Sequence, residues 1–331
     1  MSFSRDVKVE LCQNDLSFCC KKSFLSAIIK LNSNLSISNN GISVNISFEN
    51  VTIVRYIYEI IKELYQIETQ MVISKKVKLK KGNIYTLKIV DKALEVLDDL
   101  KLMDGFSFKH DIDKKFSRSE CCRKAYLAGS FVAAGSINSP HNSNYHLEIQ
   151  SQDLAHLENI KKIVEKLNKG NYPLDINFKI SQRRKSYILY LKSAREIVDF
   201  LNYINATNST FKFEDIRLQR DFVNSINRMN NMDVANEQKV FKAANNQVDL
   251  INKIKDTVGL DYLDDKVKSI AKLRLDNPEA SLNELCEIYN SIYTDKISKS
   301  GMNHRMRKIK EIAEEIKFRG ENYGNKNKSQ N

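Results

Sequence analysis

An 18-residue stretch occurs twice in this chain, and this internal repeat constrains the fold more than any other feature. The copies read CCKKSFLSAIIKLNSNLS from Cys19 and CCRKAYLAGSFVAAGSIN from Cys121, an offset of 102 residues. Each begins with two cysteines, continues through a lysine-containing pair, and reaches a small residue, an aromatic and a leucine. Self-similarity at a fixed spacing indicates repeated structural units.

Small residues recur every four positions in the second copy, at Ala125, Gly129 and Ala133. This spacing places them on one stripe of a helix, where the backbone of another helix can approach closely. Gly135 and the turn residues after it are typical of a helix end. We therefore expect the two copies to be helices that pack against each other on a pseudo-two-fold axis.

The segments after the two copies repeat as well. Alternating apolar residues in GISVNISFEN and YHLEIQSQD predict strands, and amphipathic helices follow both. MVISKKVKLKKGNIYTLKIV and INFKISQRRKSYILYLK then predict hairpins, each followed by another helix. The sequence predicts an α+β fold, a pseudo-two-fold pair of αββαββα repeats. The first repeat, with an N-terminal helix, occupies 1–110 and the second occupies 111–210.

Both hairpins carry positive charge. Side chains alternate along a strand, so Lys76, Lys78 and Lys80 share one face of the first hairpin. The corresponding set in the second hairpin is Lys179, Ser181, Arg183 and Lys185. With a net charge of +12, these lysines and arginines are candidate phosphate contacts for a nucleic acid. The alternative is an ordinary solvated sheet face.

Helical patterns fill the rest of the chain. The polar, asparagine-rich segment 211–260 predicts two linking helices. Three shorter helices in 261–318 have the order of a helix-turn-helix domain, and Ser281 and Glu284 form a capping-box pattern at the second. The polar segment 319–331 is expected to be a disordered tail.

The third of these helices has the properties of a recognition helix. From Lys296 to Gly320, eight lysines or arginines stand against three acidic residues, and they concentrate at the start of the helix. Base edges are read by hydrogen-bonding side chains, and asparagine and histidine lie among these cations. The candidate DNA contacts are Lys299, Ser300, Asn303, His304, Arg305, Arg307 and Lys308. The residues expected to face the core are Met302, Met306, Ile309 and Ile312.

Six cysteines include the two adjacent pairs, but a chain of 331 residues does not need a disulfide framework. Neighbouring cysteines do not readily bridge each other, and no histidine cluster gives zinc spacing. We interpret the thiols as reduced, partly buried packing residues, and we expect neither a cofactor nor a bound metal. Without a secretory signal or an apolar run near the roughly 18 residues that span a bilayer, we expect a cytoplasmic, nucleoid-associated protein.

The two 18-residue stretches resemble the LAGLIDADG motif of homing endonucleases. The letters LAG at 127–129 match its opening, and Gly135 matches its final glycine. The resemblance implies an acid at the end of each motif helix, and the two acids together hold divalent metals at the scissile phosphates. Those positions are Asn32 and Ala134 here, and neither offers a carboxylate. The sequence therefore predicts a degenerate site and a protein that is not an enzyme.

Almost the whole chain resembles the WhiA family of Gram-positive bacteria, most specifically in FEDIRLQRDFVNSINRMNNMDVAN and SKSGMNHRMRKIKEIA. The resemblance implies a degenerate LAGLIDADG domain fused to a helix-turn-helix. It also implies a regulator of transcription, as in sporulating actinomycetes, or a role in cell division and chromosome segregation. The chain departs from the family pattern at Cys286, where a glycine is usual, and in the extended connection NSIYTDK.

These observations predict a non-enzymatic DNA-binding protein whose partner is double-stranded DNA. Candidate protein partners are RNA polymerase, a sigma factor or another regulator, and we expect neither a membrane nor a small-molecule substrate. Two alternatives remain open. One is an active, metal-dependent LAGLIDADG endonuclease, and the other is a protein-interaction scaffold for the division or transcription machinery.

Overall fold

The helices and strands follow the predicted repeat. In the computed structural model, the described residues are 2–38, 41–75, 82–105, 107–167 and 175–328. The chain divides into two compact units, Met1–Asp221 and Phe222–Asn331. Each unit has its own hydrophobic core. In the described part of the chain, every helix is too short or too polar to cross a bilayer.

The first unit contains both αββαββα repeats in the predicted order. After the N-terminal helix α1 (Phe3–Leu11), the first repeat consists of α2 (Phe18–Asn32), β1 (Ser33–Ser38), β2 (Gly41–Phe48), α3 (Val51–Tyr65), β3 (Gln70–Lys75), β4 (Asn83–Ile89) and α4 (Ala93–Asp99). A short connection holds β5 (Met103–Asp104), β6 (Ser107–Phe108) and α5 (Lys114–Ser117). The second repeat consists of α6 (Glu120–Ala134), β7 (Gly135–Ile137), β8 (Leu147–Ser151), α7 (Leu154–Leu167), β9 (Lys179–Arg183), β10 (Ser186–Leu191) and α8 (Ala194–Tyr203).

Each repeat forms one four-stranded antiparallel sheet, and the two sheets have the same strand order. The orders are β1-β2-β4-β3 and β7-β8-β10-β9. The first strand of each hairpin, β3 or β9, is therefore an edge strand. The matching order confirms that the sequence repeat is a repeat of structure, because equivalent hairpins occupy equivalent places in the two sheets.

Helices α2 and α6 pack against each other at the centre of this unit. A Cβ atom placed on Gly129 would lie 2.5 Å from the backbone oxygen of Phe24, so only glycine allows the backbones to approach this closely. Ser23 strengthens the contact, since its hydroxyl donates to the Cys122 carbonyl at 2.7 Å. The predicted stripe of small residues is thus confirmed as the surface on which the two helices meet. α6 ends before Gly135, as expected.

Residues 211–260 do not form two helices, and that prediction is wrong. A single helix, α9 (Thr207–Thr257), contains 51 residues. Its sequence has neither glycine nor proline, so nothing in the backbone chemistry interrupts the hydrogen-bonded ladder. The boundary between the two compact units falls within this helix, after Asp221.

The second unit has the predicted helical order. After the end of α9 and a short 3₁₀ turn come α10 (Asp265–Asp276), α11 (Leu282–Ile292) and α12 (Lys299–Lys328). The predicted capping box is present, because Ser281 Oγ accepts from Glu284 N at 3.2 Å and the Glu284 carboxylate accepts from Ser281 N at 2.7 Å. The last turns of α12 fall within 319–331, the expected tail, a segment that contains no proline to stop a helix.

Candidate nucleic-acid interface

The start of α12 is set by its own sequence. Ser298 precedes the helix, and its hydroxyl accepts from the backbone N–H of Gly301 at 3.2 Å, which is the hydrogen bond of an N-cap. Three of the apolar residues predicted to face the core, Met302, Met306 and Ile309, are at most 5% exposed. Ile312 is partly buried against the same core. The predicted inward face of the helix is confirmed.

The opposite face of α12 is polar and exposed. Positions three or four apart share a face of a helix, so Ser300, Asn303, His304 and Arg307 form one stripe. All four side chains are exposed, as is Lys299 at the first turn. Within the described residues, none of these five side chains makes a hydrogen bond or an ion pair. The structure thus brings together five of the seven predicted contact residues with their polar groups free.

Arg305 is placed differently, because its guanidinium points into the domain. Nη1 donates to the Lys266 carbonyl at 3.3 Å and to Tyr289 Oη at 3.1 Å. Nη2 lies 3.7 Å from the Asp295 carboxylate, and the guanidinium carbon lies 5.6 Å from the centre of the Tyr289 ring. Only 19% of the side chain is exposed. Arg305 therefore joins α12 to α10 and α11.

Lys308 forms only an exposed ion pair within the protein. Its Nζ lies 3.0 Å from an Asp264 carboxylate oxygen, and both side chains are 52% exposed. Exposed ion pairs contribute about 0–1 kcal/mol, so an incoming phosphate competes easily for this lysine. Asp264 also caps α10 by accepting from Val267 N at 2.9 Å, and that hydrogen bond holds the pKa of its carboxyl below the usual range.

The extended connection between α11 and α12 has a defined geometry. The Asn290 side chain accepts from the Ile297 N–H at 2.7 Å and donates to the Ile297 carbonyl at 3.0 Å. The amide thereby replaces a backbone partner and fixes the turn that presents α12. Cys286, where the family pattern has glycine, is 8% exposed and belongs to the core of this unit. Both departures are accommodated without disturbing the helices.

A groove runs beside the exposed stripe. It has a volume of about 660 Å³ and is bordered by Asn303 and Arg307 on α12 and by Asn246, Asp249 and Lys253 on α9. The C-terminal part of α9 therefore lies next to the polar face of α12. Sequence reasoning missed these α9 residues, because they lie more than forty positions away in a segment that resembles a linker.

The charged hairpin faces differ from the prediction. Lys179, Ser181 and Arg183 do share one face of β9, as the register with β10 requires. Lys185 does not lie on that strand, since Arg184 and Lys185 form the turn and Arg184 has a left-handed φ of 57°. The face is not purely cationic either.

Arg183 Nη1 lies 3.3 Å from the carboxylate of Glu148 on β8, across the intervening strand β10, so this pair is internally neutralised. The lysines at 76, 78 and 80 lie outside the described residues. Of the predicted hairpin contacts that the structure describes, the exposed cations without a nearby carboxylate partner are Lys179 and Lys185.

The positions of the lost LAGLIDADG acids lie at the ends of the paired helices. Asn32 is the last residue of α2, and its amide donates to the Ser47 carbonyl at 2.9 Å. Ala134 is the last residue of α6. Asp153, an acid that borders the cavity beside Asn32 and Ala134, is already bound to Lys30 Nζ at 3.0 Å and to His110 Nδ1 at 2.8 Å. The two motif positions themselves carry an amide and a methyl group.

One group of side chains was not anticipated from the sequence. The Sγ atoms of Cys19, Cys20, Cys121 and Cys122 all lie within 4.8 Å of one another. Each adjacent pair by itself predicts only packing thiols, whereas the packing of α2 on α6 brings the two pairs together. The repeat contained the signal, because both pairs begin their copies and equivalent residues meet at a two-fold axis.

The environments of the four thiols differ in pairs. Cys19 and Cys121 are exposed, and Cys20 and Cys122 are buried. Hydrogen bonds from the Ser17 and Ser119 hydroxyls lower the pKa of the Cys19 and Cys121 thiols respectively. Burial raises the pKa of Cys20 to about 12 and also raises that of Cys122.

Comparison with known families accounts for the main parts of the chain. The family model of the WhiA N-terminal LAGLIDADG-like domain matches residues 18–103. The model of the WhiA LAGLIDADG-like domain matches residues 123–223, and that of the WhiA C-terminal HTH domain matches residues 226–313. The first two cover most of the two repeats, and the third covers the C-terminal part of α9, α10, α11 and the start of α12.

Relatives and a solved structure agree with these matches. The chain is 43% identical to the probable cell division protein WhiA of Bacillus mycoides (strain KBAB4) over 318 residues, 96% of this chain and 98% of the relative. It is 44% identical to the protein of the same name in Bacillus cereus (strain G9842), over the same shares. The crystal structure of full-length DUF199/WhiA from Thermatoga maritima superposes with a TM-score of 0.56 at 23% identity, covering 95% of this chain and 99% of that one. This chain therefore belongs to the WhiA family.

Proposed function

We propose that this protein binds double-stranded DNA through α12 and acts without catalysis, as a transcription regulator or in cell division and chromosome segregation. The observation that carries the proposal is the exposed stripe of Ser300, Asn303, His304 and Arg307 on the third helix of a helix-turn-helix. In this class of domain the third helix presents such side chains to base edges in the major groove. The name of the relatives, probable cell division protein, supports the cellular role.

The residues of α12 take different roles in this proposal. Asn303, His304 and Arg307 contact base edges, because they project from the middle of the exposed stripe. Lys299, Ser300 and Lys308 contact phosphates at its margin, where a charge positions the protein without reading sequence. Arg305 orients the helix through its contacts with Lys266 and Tyr289 and leaves no free donor pair for a base. Residues that read sequence and a residue that stabilises the domain therefore lie within three turns of one helix.

The absence of catalysis rests on Asn32 and Ala134. A carboxylate at each position would be needed to hold divalent metals between the paired helices. An amide and a methyl group do not supply that charge. The WhiA membership and the names of the relatives support the same conclusion.

The proposal is tested by binding measurements on Arg307→Ala. Sites selected from a random duplex library by the wild-type protein serve as specific DNA, and a scrambled duplex serves as the reference. Losing a base contact costs about 1–3 kcal/mol of discrimination, so we expect the preference for the selected site to fall roughly tenfold to a hundredfold. Fluorescence anisotropy at several salt concentrations gives both affinities.

Lys255→Ala is the matched control, because Lys255 is an exposed cation of the same unit outside the stripe. It removes one charge and is expected to leave discrimination unchanged. Lys299→Ala should instead weaken both duplexes equally and reduce the slope of log K against log[salt] by about 0.9. Equal discrimination by wild-type protein and the Arg307, Asn303 and His304 alanine variants would refute the assignment of α12.

A further inference from the structure

We propose that Cys19, Cys20, Cys121 and Cys122 form a tetrahedral thiolate site for one zinc ion, which ties the two repeats together at the start of their paired helices. The site is independent of the DNA-binding surface proposed above, since all four ligands lie in the first compact unit. Each repeat supplies two ligands, so neither repeat can complete the site alone.

The spacing of the four sulfur atoms fits a single ion. Zn–S bonds of about 2.3 Å in a tetrahedron place the sulfurs about 3.8 Å apart. The four Sγ atoms already lie within 4.8 Å of one another, so rotations about the Cα–Cβ bonds suffice to close the site. An iron–sulfur cluster fits poorly, because its thiolates bind different iron atoms and must stand farther apart.

The donor set selects the metal. Four cysteine thiolates in tetrahedral geometry favour zinc over magnesium or calcium, which prefer oxygen ligands. Binding forms four S–Zn bonds and releases to solvent the protons that the four thiols carried, while no electron moves. Because four protein ligands leave no open coordination position for water or substrate, such a site has a structural role.

The N-termini of two helices offset the negative charge of this site. The cysteines are the second and third residues of α2 and α6. A zinc ion with four thiolates has a net charge of −2, and the positive dipole ends of the two helices lie next to it. Ser17 Oγ and Ser119 Oγ each lie 3.4 Å from the Sγ of the exposed cysteine of their own repeat, where a hydroxyl can support a thiolate.

The cluster also has a route for the ion. A cavity of about 560 Å³ is bordered by Cys20 and Cys121, together with Ser17, Glu120 and Lys124. The exposure of Cys19 and Cys121 argues against a purely packing role, because a packing cysteine gains nothing from standing in water. Both exposed thiols nevertheless converge with the buried ones on a single point.

The test uses the full chain, purified under reducing conditions, stripped with a chelator and titrated anaerobically with Co²⁺. We expect intense visible bands of tetrahedral cobalt and near-ultraviolet thiolate-to-cobalt bands that saturate at one ion per chain. Zn²⁺ should displace the cobalt, and native mass spectrometry should show one zinc per chain. Zinc should also raise the unfolding temperature, because it binds the folded arrangement of the two helices.

The variants separate ligands from bystanders. Cys19→Ser and Cys121→Ser alter exposed side chains, and each should weaken cobalt binding by at least about 100-fold, whereas loss of a supporting hydroxyl in Ser17→Ala should weaken it about tenfold. Cys12→Ala is the matched control, a buried cysteine of the same unit outside the cluster, and should bind cobalt like the wild type. Far-ultraviolet circular dichroism verifies that each variant is folded.

Two results would overturn the proposal. The first is reduced, folded wild-type protein that gives only the weak spectrum of octahedral cobalt. The second is cobalt binding that Cys19→Ser and Cys121→Ser leave unchanged. Reduced protein that takes up no metal but forms a Cys19–Cys122 cross-link in air would assign the cluster to disulfide chemistry instead.

Discussion

Single residues decide how closely the two repeats can meet. Gly129 is the clearest case, since even a methyl group at this position would overlap the backbone of α2. Leu127 and Phe131, which lie on the other face of α6, are fully buried as well, so this helix is packed on more than one side. A close-packed interior transmits such an overlap to its neighbours instead of absorbing it.

Gly129→Ala is expected to destabilise the first unit by about 1–3 kcal/mol, the range for overpacking in a well-packed core. The new Cβ would meet backbone, which cannot rotate away. Urea unfolding of the full chain measures the change. Gly82→Ala is the control, because nothing lies within 4 Å of a Cβ at that position. Equal loss of stability in both variants would contradict the close-approach interpretation.

His156 links stability to pH. It is 1% exposed, Tyr126 Oη donates to its Nε2 at 3.4 Å, and its Nδ1 donates to the His110 carbonyl at 3.4 Å. Burial, with the nearby positive charge of Lys30, lowers its pKa from 6.5 to about 4. Between these values the unfolded chain binds a proton that the folded chain does not bind, so stability rises with pH.

We therefore expect the first unit to lose about 3 kcal/mol as the pH falls from above 6.5 to about 4, from a 1.36 kcal/mol cost per pKa unit. The pKa of Asp153 is lowered despite partial burial, because Lys30 and His110 bind it, so its own contribution is lost only at more acidic pH. Urea midpoints across this range measure the slope. His156→Gln should flatten the slope, whereas exposed His141→Gln should retain it.

At the scale of elements, the helix-turn-helix depends on polar contacts as much as on its apolar core. Asn290 fixes the turn before α12, and Arg305 joins α12 to α10 and α11. Arg274 does the same for the preceding turn, because its guanidinium, buried at 1% exposure, donates to the Asn277 and Ala280 carbonyls. These contacts orient the helix whose opposite face is left free.

Arg305→Ala should lower the unfolding temperature of the second unit, because hydrogen bonds from a charged group contribute about 1.5–3 kcal/mol. Arg305→Lys keeps the charge but loses the planar guanidinium that donates hydrogen bonds in two directions. It should therefore restore little of the unfolding temperature. Arg307→Ala, an exposed neighbour with the same change, should alter stability by no more than about 0.5 kcal/mol. Calorimetry of the full chain compares the three variants. An unchanged unfolding temperature for Arg305→Ala would indicate that the Arg305 guanidinium of the wild-type protein lies in solvent.

At the scale of the whole molecule, two LAGLIDADG-like domains keep their paired helices but carry no carboxylate at the two motif positions. The paired helices remain, with a buried contact around Gly129, but their ends carry Asn32 and Ala134. The four cysteines stand at the opposite ends of the same helices. Under the proposed function, the pair of repeats acts as a scaffold and α12 recognises DNA.

Purified wild-type protein should leave supercoiled plasmid intact in Mg²⁺ or Mn²⁺ at concentrations where it binds DNA. Cleavage needs a carboxylate-bound metal at each strand, and neither helix end supplies one. Gel electrophoresis after prolonged incubation detects nicked or linear product. A restriction enzyme in the same buffers shows that the DNA can be cut. Nicking that a chelator removes and that follows the protein through successive columns would revive the endonuclease alternative.

The sequence by itself determined the repeats, the order of helices and strands along each, the small-residue contact at Gly129 and the inward face of α12. These features follow from local periodicity and from an internal repeat, which can be read along the chain. It also located the exposed stripe of α12, because polar and apolar positions alternate with the helical period. The family match confirms the architecture that these patterns predict.

Only the tertiary structure decided what depends on residues distant in sequence. It turned Arg305 inward through partners on α10 and α11, paired Arg183 with Glu148, and moved Lys185 into a turn. It also brought two cysteine pairs from separate repeats to one point. No local pattern encodes such meetings, because each depends on how two helices or strands are placed against each other, and that placement is set by the packing of the whole core.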